Sequence, residues 1–169
     1  MMEEKLGAGR RTVFMEGVHD GVPIALGYFV VAFTLGILAK TAGLTPWQGF
    51  VTSAVNIASA GEYAGFTVIA AQAPYVEIAV LTLVANARYF LMAAALTQRF
   101  SPNTPLGHRL AVSFGVTDEI FGITVARGGA LNPYYNYGAM AISVPAWSAG
   151  TSAGILAGGI LPAAAVSAL

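Results

Sequence analysis

Apolar residues run through this chain in long blocks, and short polar or turn-forming stretches separate them. Five blocks, residues 21–39, 49–71, 78–97, 110–126 and 138–161, approach the roughly 20 residues that a helix needs to cross hydrocarbon. The turns between them carry Gly43, Pro46 and Trp47, then Pro74, then the 98–110 stretch with Pro102 and Pro105, then Asn132 and Pro133. The first block has no small-residue cleavage pattern followed by a soluble domain, so it reads as a retained helix and not as a secretory signal. This pattern predicts an all-α, polytopic membrane protein with about five hydrophobic segments and glycine- or proline-broken helices. Residues 1–16, with Lys5, Arg10 and Arg11 against Glu3, Glu4 and Glu16, form a polar lead-in, and residues 17–169 form one transmembrane domain.

Two features refine the organisation. The last block is interrupted by Pro145 and carries Gly150, Gly154 and Gly158 at four-residue spacing, which lets a neighbouring backbone approach closely. Residues 35–46, LGILAKTAGLTP, are echoed by residues 153–162, AGILAGGILP, as expected of half of a repeat-built transporter; chance recurrence in a glycine- and leucine-rich chain is the alternative. Lys5, Arg10 and Arg11 place the N-terminus in the cytoplasm, but simple alternation then puts Arg99, His108 and Arg109 outside, against the positive-inside tendency. A re-entrant 49–71 segment removes the conflict, and external labelling of a cysteine at Ser101 would sink that hypothesis.

Composition supports the membrane reading: 56% of the 169 residues are hydrophobic and 9% charged, against about 25% charged in average proteins. Mean hydropathy is +0.69. Eight basic and eight acidic residues cancel, so no charge excess points to nucleic acid as a partner. With no cysteine and with His19 and His108 far apart in sequence, no metal site or cofactor is expected.

Four charges nevertheless fall inside the apolar blocks: Glu62, Arg88, Asp118 and Glu119. Each costs about 2.5–3.5 kcal/mol at a helix centre, so the adjacent pair needs protein partners or a water-filled cavity. At about 100° per residue Asp118 and Glu119 can face one interior, whereas Asn86 and Arg88 diverge by about 200°. Thr52, Asn56, Ser59 and Tyr63 share one stripe of a continuous helix, with Glu62 beside it. Three carboxylates against Arg88 leave an excess of two negatives, which protons, a metal cation or a substrate ammonium must balance. That describes a site for a cationic or zwitterionic solute. The plainer alternative is a structural ion pair fixing helix register, with Asn56 and Ser59 as interhelical hydrogen-bonding groups and Tyr63, Trp47 and Trp147 as packing or interfacial aromatics.

SAGEYAGF (59–66), NARYFLMAAALTQRF (86–100), LGHRLAVSFGVTDEIFGI (106–123) and the glycine-rich 147–162 span resemble the AzlC-type branched-chain amino-acid permease family. The resemblance covers nearly the whole chain after the lead-in. It implies a multi-pass permease of a prokaryotic inner membrane that exports branched-chain or other small hydrophobic amino acids, commonly with a small AzlD-like membrane subunit. It therefore implies a transporter and not an enzyme, and it leaves homo-oligomer formation open. Asn86, Arg88, Thr117, Asp118 and Glu119 stand at family-motif positions, whereas Glu62 departs from the family's usual glutamine. The family's last hydrophobic segments usually lie beyond the equivalent of Leu169, so the expectation is a fragment, a short variant or a protein completed by a partner. The absence of an ATP-binding loop makes gradient coupling the economical expectation. A passive channel or structural subunit is the alternative. The full candidate set for substrate or ion is Asn56, Ser59, Glu62, Tyr63, Asn86, Arg88, Thr117, Asp118 and Glu119.

Overall fold

The computed structural model describes residues 9–160. Among these the chain forms seven helices and no strand: α1 (Arg10–Thr41), α2 (Pro46–Val55), α3 (Ser59–Ala70), α4 (Tyr75–Thr97), α5 (Leu106–Phe114), α6 (Asp118–Ala126) and α7 (Pro133–Gly158). The all-helical class agrees with the sequence pattern, but the expectation of five spanning segments does not survive. Among the described residues, only α1 and α4 are both long and apolar enough to cross a membrane.

The departures have local causes. The 49–71 block breaks at residues 56–58, where Asn56 leaves helical geometry at φ −129° and ψ 84°, and the 110–126 block breaks at residues 115–117, after Gly115. The pieces of ten and twelve residues in α2 and α3 are about 15 and 18 Å long, well short of a hydrocarbon core of about 30 Å. Conversely, α7 continues through Pro145, so the expected interruption there does not occur. Helix α1 begins at Arg10, inside the polar lead-in. The lead-in's Glu3, Glu4 and Lys5, the last block's Leu161, and Pro162 at the end of the 153–162 echo lie outside the described residues.

The chain divides into two compact units. One comprises the chain up to Ile24 with Tyr89–Ser143, the other Ala25–Arg88 with the chain from Val144. Pro23 and Pro145 stand within two residues of these divisions.

In the first unit Leu96, Phe100, Val112, Val116 and Leu131 form a buried core. Arg99 donates to the carbonyls of Val125 at 3.0 Å and Gly129 at 2.8 Å, tying the stretch after α4 to the end of α6 and the turn beyond it. Gly17 lies under the Tyr135 carbonyl and Gly138 under that of Phe14, so α1 and α7 meet backbone to backbone.

In the second unit the same two helices meet again, Gly36 against Gly154 and Gly150 under Phe29, as the glycine spacing in the last block led us to expect. Helix α2 opens with a capping box: the Thr45 hydroxyl accepts from the Gln48 amide, and the Gln48 side chain accepts from the Thr45 amide. Ser152 then donates to the Pro46 carbonyl at 2.9 Å and holds α2 to α7.

The two broken helix pairs are built alike. Thr45-Pro46 precedes the first and Thr104-Pro105 the second; Pro74-Tyr75 opens α4 and Pro133-Tyr134 opens α7; both intervals have the same length in the chain. Each break also falls equally far beyond its proline. Gly36 and Gly154, which correspond in the sequences of residues 35–46 and 153–162, are in contact.

Helix α4 leaves Val76, Val80, Leu83, Val84, Phe90 and Leu91 exposed. So continuous an apolar surface is suited to lipid or to another apolar partner and not to water.

Candidate functional site

The chemistry of the second unit gathers around the break between α2 and α3. No side chain caps the start of α3: Ala58 occupies the cap position and contributes none. The opening amides of this helix therefore keep their donor capacity for another acceptor. By contrast Thr117, buried at the start of α6, accepts from the Ile120 amide.

Gly61, in the first turn of α3, is crowded by two side-chain amides. A β-carbon there would lie 2.9 Å from Asn86 Nδ2 of α4 and 3.3 Å from Asn56 Nδ2 at the break. Asn86 Oδ1 is buried and accepts no hydrogen bond. An amide oxygen shut away from water without a donor carries a desolvation cost of about 1–3 kcal/mol, which a bound donor would relieve.

One residue further on, Glu62 is buried at 1% exposure. Its Oε1 accepts from Trp147 Nε1 at 2.6 Å and its Oε2 from Ser53 Oγ at 3.1 Å. Ser53 Oγ is also 2.7 Å from Thr151 Oγ1, and Thr151 reaches the Trp147 carbonyl at 3.4 Å. Tyr28 of α1 sets its ring edge against Trp147, with centroids 5.3 Å apart. The carboxyl group thus sits in a closed set of neutral partners from α2 and α7.

The sequence-derived candidates divide between the units. Asn56 and Asn86 come together at Gly61, with Glu62 next in the chain. Ser59 begins α3 and is exposed, Tyr63 is exposed on the same helix, and Arg88 is exposed on α4. The stripe from Thr52 to Tyr63 does not form as one seam, because the helix that would carry it ends at Val55. Thr117, Asp118 and Glu119 belong to the first unit, with Thr117 buried and the two carboxylates exposed in the first turn of α6.

Sequence reasoning missed Ser53, Thr151 and the role of Trp147. Trp147 is not an interfacial ring: it is 3% exposed and hydrogen-bonded to Glu62. The available signal was an indole N–H in an apolar block together with a carboxyl in another, since a buried indole donor needs an acceptor. Trp47, by comparison, is exposed and stacks on Phe50.

Among the described residues no group of three or more His, Asp or Glu side chains is placed to hold a metal ion. The polar groups at the break comprise two side-chain amides, one of them with an unpartnered oxygen, and the uncapped start of α3.

Comparison with known proteins finds relatives among membrane proteins. A family model described as AzlC protein matches residues 23–161. An uncharacterized membrane protein of Archaeoglobus fulgidus is 30% identical over 152 residues, covering 90% of this chain and 66% of its own. The inner membrane protein YgaZ of Escherichia coli K12 is 31% identical over 115 residues, covering 68% of this chain and 46% of its own. The chain thus spans about two thirds and under half of these curated relatives. No solved structure matches it.

Proposed function

The chain belongs to the AzlC family of membrane proteins, and from that premise we propose that it is a permease subunit exporting small hydrophobic amino acids, branched-chain ones among them, by gradient coupling. One observation carries the reading: at the α2–α3 break, uncapped helix amides, two asparagine amides and an unpartnered carbonyl oxygen occur within one turn of Gly61. Those are complementary groups for a zwitterion. The opening amides of α3, at the positive end of the helix, take the substrate carboxylate, and Asn86 Oδ1 accepts from its ammonium. Asn56 holds the break in shape beside it.

Arg88, Thr117, Asp118 and Glu119 remain in the proposal as polar groups of the apolar blocks, each to be tested by substitution. A small AzlD-like membrane subunit is the proposed partner, and co-purification from membranes tests it.

Exchange of labelled leucine, valine and methionine in proteoliposomes tests the function. Asn86→Ala is expected to raise the half-saturating concentration about tenfold, equivalent to about 1.4 kcal/mol. Flux that is unchanged in Asn86→Ala, Arg88→Ala and Asp118→Asn would remove these residues from the mechanism. No saturable flux, with loss of assembly in the same variants, would make the chain a structural subunit.

A further inference from the structure

The Glu62 cluster is not needed to hold a zwitterion at the break, and its geometry points to another task. We propose that Glu62 is a proton-binding site whose two charge states are both satisfied by reversal of a hydroxyl chain through Ser53 and Thr151, and that this site couples proton movement to amino-acid exchange. The coupling part rests on the permease reading above; the proton site does not.

A serine or threonine hydroxyl has one proton to give and can accept in return. With Glu62 charged, Ser53 donates to Oε2, Thr151 donates to Ser53, and Trp147 donates to Oε1. When a proton from solution forms an O–H bond at Oε2, the side chain goes from one negative charge to none. Glu62 then donates to Ser53, Ser53 to Thr151, and Thr151 to the Trp147 carbonyl, all along contacts of 2.7–3.4 Å already in place. Trp147 keeps its own bond to Oε1 in both states. No side chain has to move for the chain to reverse.

Among the described residues, the side chains that hydrogen-bond the carboxyl are all neutral. Ser53 faces it from α2, Trp147 and Thr151 from α7, and none of these is ionic. Tyr28 of α1 touches Trp147, and Asn86 of α4 lies over the neighbouring Gly61. On α3 itself the adjacent titratable group, Tyr63, is exposed.

Burial supplies the link to transport. Glu62, Ser53 and Thr151 are all at 1% exposure or less, so a proton reaches the site only when local packing opens, and the break one turn away is the place where backbone is already free of helix.

Trp147 reports on the site directly. In a Trp47→Phe background Trp147 is the only tryptophan, and its emission is expected to show a pH transition that Glu62→Gln removes and Ser53→Ala displaces. Glutamine retains an oxygen for Trp147, and size-exclusion chromatography checks that the variant is folded. A transition that persists in Glu62→Gln, or emission that is flat throughout the pH range in which the protein stays folded, overturns the proton site.

In proteoliposomes, Glu62→Gln is expected to lose amino-acid-driven proton movement, read with an entrapped pH dye, while labelled leucine still exchanges. Unchanged proton movement overturns the coupling. A titrating Trp147 in a protein that moves no amino acid upholds the proton site and defeats the permease reading.

Discussion

Trp147 Nε1 lies 2.6 Å from Glu62 Oε1, which joins the middle of α7 to the first turn of α3 through one buried hydrogen bond. Neither group has water to fall back on, since Trp147 is 3% and Glu62 1% exposed. Trp147→Phe keeps most of the ring but leaves a carboxyl oxygen unpaired, and a loss of about 1–3 kcal/mol in stability is expected. Thermal unfolding in detergent measures it. The double variant Trp147→Phe/Glu62→Leu should recover part of the loss, because both ends of the bond are then apolar. No recovery would show that packing, and not the hydrogen bond, carries the effect.

Gly61 and Gly65 occupy the same helix but meet different surroundings. A methyl group at Gly61 would stand 2.9 Å from Asn86 Nδ2, while one at Gly65 meets nothing within 4 Å. Gly61→Ala is therefore expected to displace the asparagine amides and weaken amino-acid exchange about tenfold, a change of about 1.4 kcal/mol. Gly65→Ala should leave exchange intact and stabilise the helix by about 0.5–1 kcal/mol. Equal effects of the two substitutions on exchange would remove the Gly61 cradle from the site.

The contact of Gly36 with Gly154 leaves no room for side chains between α1 and α7. Gly154→Ala is expected to lower the unfolding temperature and the yield of folded protein, with a destabilisation of about 1–3 kcal/mol from overpacking. Gly27→Ala, on α1 but facing open space, is the control. Matching melting curves for the two variants would contradict the close approach.

Thr45 closes the capping box of α2. Thr45→Ala should cost about 0.5–2 kcal/mol, and Thr45→Ser should restore most of it. A serine variant as unstable as alanine would assign the loss to the methyl group and not to the cap. Hydrogen exchange at the start of α2 reads the effect locally.

The helical class, the long α4 and the glycine contacts of α7 were legible because hydrophobic runs and small-residue spacing report directly on burial and close approach. The places of the breaks were not. A re-entrant, glycine-broken 49–71 segment was among the expectations, but Asn56, Ile57 and Ala58 contain neither glycine nor proline, so local propensity gives little reason for the chain to leave helix at that point. The same oversight misplaced the polar stripe, since a period of 3.6 residues cannot be carried across unwound backbone. Of the site, Asn56, Glu62 and Asn86 were recognisable as polar residues in apolar blocks. Ser53 and Thr151 were not, because small hydroxyls occur in such helices for packing reasons and only the fold brings these two to Glu62. Pro145 erred in the other direction: a residue that usually breaks helices is accommodated within α7.

The break at residues 56–58 fixes where α3 begins, and so which of its faces turns toward α7. One residue inserted within α3 between the break and Glu62 would turn Glu62 by about 100° around that helix, carrying it away from Trp147. Surface turns tolerate a change in length, but this junction does not. The matching break at residues 115–117, placed equally far beyond its proline, has the same sensitivity, so insertions and deletions should be excluded from both breaks even where substitutions are accepted.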